Sequence, residues 1–332
     1  MYFETAPKTR KADLFDFDYE YRHLTEMLKS GDARCIVIYG LRRTGKTSLM
    51  HVVVNENNFK YVWIDGRSFD SRTEFFAELI KELKSRKLLP LESFELKGLK
   101  LGLEQSLHEM LKNAKGLIII VDEAQYLSPL KLDRFFAYVY DNFDIKVVFS
   151  GSEIGVLNRF IGKENPKAPL FGRAIAEIKT RRLSKNESME FLLNGGKQAG
   201  LGIDEQEADK VINALDGTIG WLTLYGWYRK NHAWSAALKK SIEKGKAMAK
   251  EEFDNFLLTR KARKKYSMIM KILGGRELSW SELKSLLSKE LGYLISDKQL
   301  SMYLAHLEDY CFIEKVAEKY KIADPLTDAL FY

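Results

Sequence analysis

Two glycines, a lysine and a threonine lie at the spacing that binds phosphate. The stretch reads Gly40-Leu41-Arg42-Arg43-Thr44-Gly45-Lys46-Thr47-Ser48. In such a loop, glycines let backbone N–H groups approach the phosphates, the lysine reaches the β- and γ-phosphates, and the threonine hydroxyl can coordinate Mg²⁺. An apolar run, CIVIY, precedes the stretch and SLMHVVV follows it. Because a P-loop lies between a strand and the amino end of a helix, we expect residues 40–48 to bind a nucleotide.

A buried strand followed by two carboxylates supplies the second half of such a site. Leu117–Val121 is a continuous aliphatic run, and Asp122 and Glu123 follow it directly. Asp122 is expected to hold Mg²⁺ together with Thr47, and Glu123 to polarise a water for attack on the γ-phosphate. A carboxylate that only favours the start of a helix is the alternative for Glu123. The pair is typical of hydrolytic ATPases, and we find no Asn/Thr-Lys-x-Asp guanine-binding tetrapeptide after a strand, so ATP is the expected nucleotide.

The elements around these residues indicate an α/β domain followed by helices. Apolar runs alternate with helical stretches, at Cys35–Tyr39, Tyr61–Asp65, Leu117–Val121, Lys146–Ser150 and, more weakly, Ala174–Ile178. Continuous apolar strands separated by helices are typical of a parallel sheet covered on both faces. From about residue 260, three helices and two short strands indicate a winged helix-turn-helix. We predict a P-loop ATPase α/β domain over 1–180, a helical lid over 181–258 and a winged-helix domain over 259–332.

Composition excludes disorder and a membrane-spanning segment. The chain has 332 residues, of which 45% are hydrophobic and 30% charged, with 6 prolines. Its longest aliphatic run is far shorter than the roughly 20 residues of a membrane helix, and the amino terminus has no apolar signal core. We therefore expect no membrane partner and a cytoplasmic location. Cys35 and Cys311 lie in apolar segments and are predicted to be buried thiols rather than metal ligands or a disulfide.

The net charge of +7 is concentrated in one segment. Between Arg229 and Lys265, 12 Lys or Arg residues face 4 Asp or Glu residues. A local basic segment predicts an acidic partner, and nonspecific binding of DNA phosphates is the candidate. A solvated helix face is the alternative. Within the segment, the cluster over residues 260–265 is the best candidate for a phosphate contact.

The third helix of the winged helix is predicted over Ser296–Asp309, with Leu300, Leu304 and Leu307 buried. The residues expected to face outward are Lys298, Gln299, Met302, Tyr303 and His306. One cation is a poor basis for reading base edges. Contact of this domain with DNA and an interaction with a protein partner therefore both stay open.

Taken together, the motifs resemble the archaeal ATPase family, a STAND branch of the AAA+-like P-loop ATPases. The resemblance extends over nearly the whole chain and rests on the P-loop arginines Arg42-Arg43, its ending Thr47-Ser48-Leu49, the strand end Gly151-Ser152, Pro169-Leu170-Phe171-Gly172-Arg173, and Asp324-Pro325. It implies a sheet of strand order 5-1-4-3-2, a helical lid and a winged helix. It also implies that Mg-ATP or ADP is the ligand and that nucleotide state moves the lid and winged helix.

The resemblance implies two further catalytic positions. Ser150 or Ser152, at the end of the fourth strand, would contact the attacking water or the γ-phosphate, and the sequence does not distinguish them. Arg173 would stabilise charge on the transferring phosphoryl group, either in cis or across the interface of an oligomer. An ion pair with a surface carboxylate is the alternative for Arg173.

Two stretches depart from the family pattern, and both concern the adenine. Phe15–Tyr21 has no arginine where the family has an Arg-Glu motif, and Gly217–Leu222 lacks the proline of Gly-x-Pro. Aromatic residues there, Phe15, Phe17 and Trp221, can pack on adenine or belong to the core. Our leading interpretation is an intracellular ATPase. The alternative is a slow nucleotide switch or DNA-binding regulator that holds ADP.

Overall fold

The chain divides into two units, and the predicted parallel sheet is the centre of one of them. The computed structural model describes residues 1–86, 103–163 and 165–332. Residues Pro7–Arg181 form the first unit, while Met1–Ala6 and Arg182–Tyr332 form the second. The separation of a lid from a winged-helix domain near residue 259 stays a prediction.

Five strands pair in parallel in the first unit: β1 (Cys35–Tyr39), β2 (Tyr61–Asp65), β3 (Leu117–Asp122), β4 (Ile145–Gly151) and β5 (Ile175–Lys179). Their order is β2-β3-β4-β1-β5, which confirms the predicted order read from the other side. β3 is buried along its whole length, as expected for a strand covered on both faces. β5 lies at an edge of the sheet and exposes Glu177 and Lys179, which explains its weaker apolar pattern.

Among the described residues of the first unit, six α-helices cover the sheet: α1 (Asp18–Lys29), α2 (Lys46–Glu56), α3 (Arg72–Ser85), α4 (Leu103–Lys112), α5 (Asp133–Asn142) and α6 (Ile154–Ile161). Side chains alternate along a strand, so Ile118 and Ile120 pack with α1 and α2. Ile119 and Val121 pack on the opposite face, with α3, α4, α5 and α6. Two hydrophobic cores therefore hold the sheet between helical layers.

Parallel pairing gives the sheet two chemically different edges. β1 runs in register with β4 from Cys35 beside Val147 to Tyr39 beside Gly151. The carboxyl ends of all strands thus lie at one edge, here called the carboxyl edge, and their amino ends lie at the other, the amino edge. Loops that follow β1, β3 and β4 meet at the carboxyl edge, where ligands of open α/β sheets bind.

Four helices make up much of the second unit: α7 (Lys185–Ala199), α8 (Glu205–Leu215), α9 (Ile219–Arg229) and α10 (Trp234–Leu258). The first six residues of the chain also belong to it, whereas the sequence predicts them in the α/β domain. Phe3 fills the space beside two helical glycines, since a Cβ on Gly195 or Gly226 would lie 2.5 or 2.1 Å from its ring atoms. Small residues at these positions let the amino-terminal segment pack on the helices.

The rest of the second unit is a winged helix-turn-helix, as predicted. Its elements are α11 (Arg263–Leu273), β6 (Leu278–Ser279), α12 (Trp280–Leu291), α13 (Asp297–Asp309), β7 (Ile313–Val316), β8 (Lys319–Ile322) and α14 (Pro325–Asp328). The strand β6 and the helix α14 add to the predicted elements: β6 pairs with β8, and α14 is capped by the Asp324 carboxylate.

Two residues of α13 face inward, against the prediction. Tyr303 is buried, and its ring packs edge-on against Tyr266 with 5.0 Å between centroids. His306 is half-buried, with its Nδ1 2.6 Å from the Tyr266 hydroxyl. The aromatic rings widen the apolar face of the helix beyond its leucines. The outward set is thereby reduced to Lys298, Gln299 and Met302.

The two cysteines, both predicted to be buried, differ in their exposure. Cys35 is buried in β1, where burial raises the pKa of its thiol to about 12. Cys311 is only half-buried, because it lies in the turn that follows α13 rather than in a strand.

Across the described part of the chain, no helix combines the length and apolar character needed to cross a membrane.

Candidate nucleotide-binding site

The loop from β1 to α2 has a conformation that favours glycine. Gly45 has a φ of +90°, in the left-handed region. A Cβ on Gly45 would lie 2.9 Å from Cζ of Phe17, and one on Gly40 would lie 2.2 Å from Oγ1 of Thr180. Arg43 also has a positive φ, of +64°, which is uncommon for a residue with a side chain. The two glycines, packed closely against Phe17 and Thr180, thus allow the loop to form a tight turn at the amino end of α2.

Lys46 and Thr47 begin α2 and contact the loop and the end of β3. Lys46 is 5% exposed. Its Nζ donates to the carbonyl oxygens of Gly40 at 2.9 Å and Leu41 at 2.7 Å. Thr47 Oγ1 donates to Asp122 Oδ2 at 2.9 Å. A hydroxyl and a carboxylate in contact at a helix amino end fit the protein donors that Mg²⁺ takes beside nucleotide phosphates.

The electrostatics of Asp122 also fit a cation. Burial raises the pKa of its carboxyl above the usual value, and the charge of Glu123 raises it further, while hydrogen bonds from Ser150 and Thr47 act against this. A buried carboxylate beside a second one is stabilised when a positive ion binds to it. Asp122 and Thr47 are therefore the residues that would hold a magnesium ion.

Glu123 is held by two donors. Its Oε2 accepts from Ser152 Oγ at 3.0 Å and from Gln125 Nε2 at 2.6 Å. Its backbone has a φ of +52°, and its N–H donates to Ser150 Oγ at 3.3 Å. Gln125, which sequence reasoning missed, is 2% exposed and lies in the 3₁₀ helix after β3. An amide two residues after the carboxylate pair is the sequence signal that could have revealed it.

The two serines that the sequence does not distinguish contact different carboxylates. Ser150 donates to Asp122 Oδ1, whereas Ser152 donates to Glu123. Both serines are buried. The geometry thus brings Lys46, Thr47, Asp122, Glu123 and both serines to the carboxyl edge, as predicted for one site. The sensor role of either serine stays a prediction.

Other residues of the loop have partners within the first unit. Arg42 Nη2 lies 2.8 Å from Oε1 of Glu153, a buried glutamate that sequence reasoning also missed. Thr44 Oγ1 lies 2.7 Å from Thr180 Oγ1, and Ser48 Oγ accepts from the Lys8 backbone N–H at 3.0 Å. Thr44 and Ser48 therefore tie the loop to its surroundings.

Arg173 lies at the amino edge, which contradicts its predicted contact with the phosphates in cis. It precedes β5 by two residues, and the first residue of β5, Ile175, pairs with Cys35 at the amino end of β1. Its guanidinium binds Asp141 at 3.0 and 2.5 Å and donates to the Pro169 carbonyl. The ion pair with a surface carboxylate is the correct alternative within one chain.

The aromatic residues proposed for adenine are buried. Trp221 is 1% exposed, and its indole N–H donates to Asp324 Oδ2 at 2.8 Å inside the second unit. It is a core residue rather than a platform for a base. Phe15 is also buried, and Phe17 packs on Gly45 of the P-loop. Contacts to adenine stay a prediction.

A parallel sheet of this order, with a glycine-rich loop, a buried lysine and a Thr–Asp pair at its carboxyl edge, defines the class of P-loop ATPases. The chain belongs to the family of ATPase domains found predominantly in Archaea, whose model matches residues 14–224. Residues 260–323 match the C-terminal winged helix-turn-helix domain of MCM proteins.

The chain is similar to two solved structures and to one further archaeal protein. A Walker-type ATPase of Pyrococcus abyssi is 29% identical, with a TM-score of 0.85 over 100% of this chain and 99% of that one. The ORC2 protein of Aeropyrum pernix is 13% identical, with a TM-score of 0.66 over 99% and 95% of the two chains, which shows the fold alone. An uncharacterized protein of Methanocaldococcus jannaschii is 27% identical over 183 residues, which span 53% of this chain and 37% of that protein.

Proposed function

We propose that the chain binds Mg-ATP and hydrolyses it to ADP and phosphate, as a STAND-type member of the AAA+-like ATPases. One observation carries the proposal: the Thr47–Asp122 contact and the held carboxylate of Glu123 lie beside the turn that buries Lys46. Phosphate-binding, metal-binding and water-orienting groups thus share the carboxyl edge. The paired arginines of the P-loop support the STAND assignment.

Each residue has a distinct role in this proposal. Thr47 and Asp122 hold Mg²⁺, which neutralises phosphate charge when bound. Lys46 and the amino end of α2 offset the charge of the β- and γ-phosphates. Glu123 polarises the attacking water. Ser152 and Gln125 both donate to Oε2 of Glu123, so they fix the orientation of its carboxylate, and Oε1 is the oxygen that we assign to the attacking water.

The test is equilibrium titration of Lys46→Ala with a fluorescent ATP analogue and Mg²⁺. Loss of a charged hydrogen-bond donor to phosphate should weaken binding by about 10- to 100-fold. Lys60→Ala, which removes an exposed lysine at the amino edge, is the control and should bind as the wild type does. A Lys46→Ala chain with wild-type affinity would refute the site.

A second candidate is a regulator that binds DNA phosphates while nucleotide state moves the lid and winged helix. The observation that favours it is a set of exposed lysines on α10 and near the start of α11: Lys240, Lys244, Lys261 and Lys264. Several other cations of the segment have internal partners. Arg229 binds Glu207 at 2.9 Å, and Arg260 stacks on Phe256 at 4.8 Å.

Binding of duplex DNA across a salt series tests this second function. The logarithm of the DNA association constant falls linearly with the logarithm of the salt concentration. Changing the four exposed lysines to glutamine should make this slope less steep by up to about 3–4, since each phosphate contact contributes about 0.9. A slope that the substitutions leave unchanged contradicts the proposed contacts. Turnover measured with and without DNA separates the functions: strong stimulation supports a DNA-acting ATPase, and negligible turnover with tight ADP retention supports a switch.

A further inference from the structure

The ion pair between Arg42 and Glu153 joins the P-loop to the end of β4. Arg42 Nη2 lies 2.8 Å from Glu153 Oε1, and the two side chains are 21% and 9% exposed. Transfer of a charged carboxylate from water into the protein interior costs free energy, so a buried glutamate depends on a cationic or hydrogen-bonding partner. Any ligand that attracts Arg42 therefore changes the environment of Glu153.

The pair lies next to the groups proposed for hydrolysis. Residues at the end of β4 contact three parts of the site: Ser150 contacts Asp122, Ser152 contacts Glu123, and Glu153 contacts Arg42. The Tyr126 hydroxyl lies close enough to Arg42, Glu153 and Glu123 for their charges to affect it. Burial raises the pKa of its hydroxyl, the charges of Glu153 and Glu123 raise it further, and Arg42 lowers it. One small region thus contains the arginine and both glutamates.

A guanidinium binds a carboxylate and a phosphate through the same forked set of N–H donors. Arg42 belongs to the loop that would surround the phosphates, and its side chain binds Glu153, which follows directly after the Ser152 that donates to Glu123. Glu123 acts, in the proposed function, on the water that attacks the γ-phosphate. That phosphate is the group that distinguishes ATP from ADP.

We propose that Arg42 binds the γ-phosphate of ATP and that Glu153 competes with this phosphate for the guanidinium. The pair then sets the preference of the site for ATP over ADP, an inference that rests on the proposed function. Arg42 exchanges Glu153 for phosphate when ATP binds and returns to Glu153 when ADP is bound. Since Glu153 is the residue that precedes α6, each exchange changes the charge at the amino end of that helix.

The experiment measures the dissociation constants of Mg-ATP and Mg-ADP in a Glu123→Gln background that suppresses hydrolysis. Glu153→Gln keeps the size of the side chain and removes its charge, so the preference for ATP should rise by about three- to tenfold. Arg42→Gln should lower the preference by about tenfold or more. In the double variant, Glu153→Gln should have no further effect, because Glu153 acts through Arg42.

A second ion pair provides a matched control. Glu207 and Arg229 lie 2.9 Å apart in the second unit, with side chains 7% and 20% exposed. Glu207→Gln should reduce thermal stability and leave the ATP-to-ADP preference at the wild-type value. If Glu153→Gln behaves in the same way, its pair is only structural and the inference is overturned.

Two further outcomes separate this inference from the proposed function. If both nucleotides bind the wild-type chain tightly and no variant changes their ratio, the inference fails while the site stands. If neither nucleotide binds, both fail. Should Arg42→Gln not fold, Arg42→Lys decides: it keeps the charge without the forked geometry, and an unchanged preference together with no effect of Glu153→Gln overturns the inference.

Discussion

The two edges of the parallel sheet use charge in opposite ways. At the carboxyl edge, Thr47 and the buried Lys46 lie with carboxylates in the region that we propose binds phosphate and metal. At the amino edge, cations instead bind the ends of helices. Lys146 Nζ donates to the carbonyls of Met27 at 3.0 Å and Leu28 at 2.7 Å near the end of α1.

Helix polarity explains the difference. A helix has partial positive charge at its amino end and partial negative charge at its carboxyl end. α2 begins at the carboxyl edge, whereas α1 and α5 end at the amino edge, where Arg34 donates to the Tyr140 carbonyl at 3.2 Å. The same connectivity therefore makes one edge attract anions and the other attract lysine and arginine. The role of a lysine or arginine next to a strand therefore depends on whether it lies at the amino edge or the carboxyl edge of the sheet.

The largest effect that this comparison predicts is on turnover. Glu123→Gln at the carboxyl edge should reduce the hydrolysis rate by about 10²- to 10⁴-fold, because it removes the group that we propose polarises the attacking water. Nucleotide affinity should change little, since the P-loop is intact. Single-turnover hydrolysis and equilibrium binding measure the two quantities.

Arg173→Ala is the matched substitution at the amino edge. It breaks the partly exposed pair with Asp141, so stability should fall by less than about 1 kcal/mol and turnover should stay within about threefold of wild type. If Arg173→Ala instead lowered turnover as much as Glu123→Gln does, and the difference from wild type grew with protein concentration, Arg173 would act across an oligomer interface. The contrast between the two sheet edges would then fail.

The next effect concerns the loop itself. Gly45→Ala adds a Cβ 2.9 Å from Phe17 at a φ of +90°, and should destabilise the fold by about 2–3 kcal/mol and abolish tight nucleotide binding. Gly116→Ala separates the two causes, because Gly116 has a φ of +71° and no atom within 4 Å of the added Cβ. It should cost about 1 kcal/mol, from backbone strain alone. Equal denaturation midpoints for the two variants would mean that contact with Phe17 is unimportant.

At the amino edge, Lys146→Met tests the role of helix carboxyl ends. It removes a cation that donates to the last carbonyls of α1, so we expect a loss of about 1–2 kcal/mol in the free energy of unfolding. The exposed Lys115 serves as the control, and Lys115→Met should change stability by less than about 0.5 kcal/mol. Urea denaturation of both variants checks this. Nucleotide affinity should not change in either.

Contiguous motifs explain what could be predicted. The P-loop and the Asp122–Glu123 pair are short stretches whose residue spacing determines their local geometry, whereas the strand order is what the resemblance to the archaeal ATPase family implies. Because β4 is parallel to β1, the end of β4 that carries Ser150 and Ser152 lies beside the P-loop. These expectations needed no knowledge of side-chain packing, and the sheet order and P-loop class are confirmed.

Long-range partners explain what could not. Arg42 and Glu153 are 111 positions apart, and no local pattern indicates that they meet. Trp221 has the periodicity of any core aromatic residue, so the sequence cannot separate a buried ring from a base platform. The cis contact predicted for Arg173 fails for a simpler reason: a residue that precedes a parallel strand lies at the amino edge, away from the P-loop.

The smallest predicted effect depends on pH and concerns a histidine close enough to Asp122 to experience its charge. His51 on α2 stacks on Trp63, with 3.8 Å between ring centroids. Burial lowers the pKa of the imidazole below its usual 6.5, and Asp122 only partly opposes this. The stability that neutral His51 contributes is therefore present above pH 6.5 and is lost as pH falls through the lowered pKa. His51→Gln should remove this loss, so that wild type and variant differ in the pH dependence of Tm by no more than a few degrees. If Tm instead changes equally with pH in the two chains, from neutral to mildly acidic pH, His51 protonates without a loss of stability. The charge of Asp122 then outweighs the effect of burial on the imidazole.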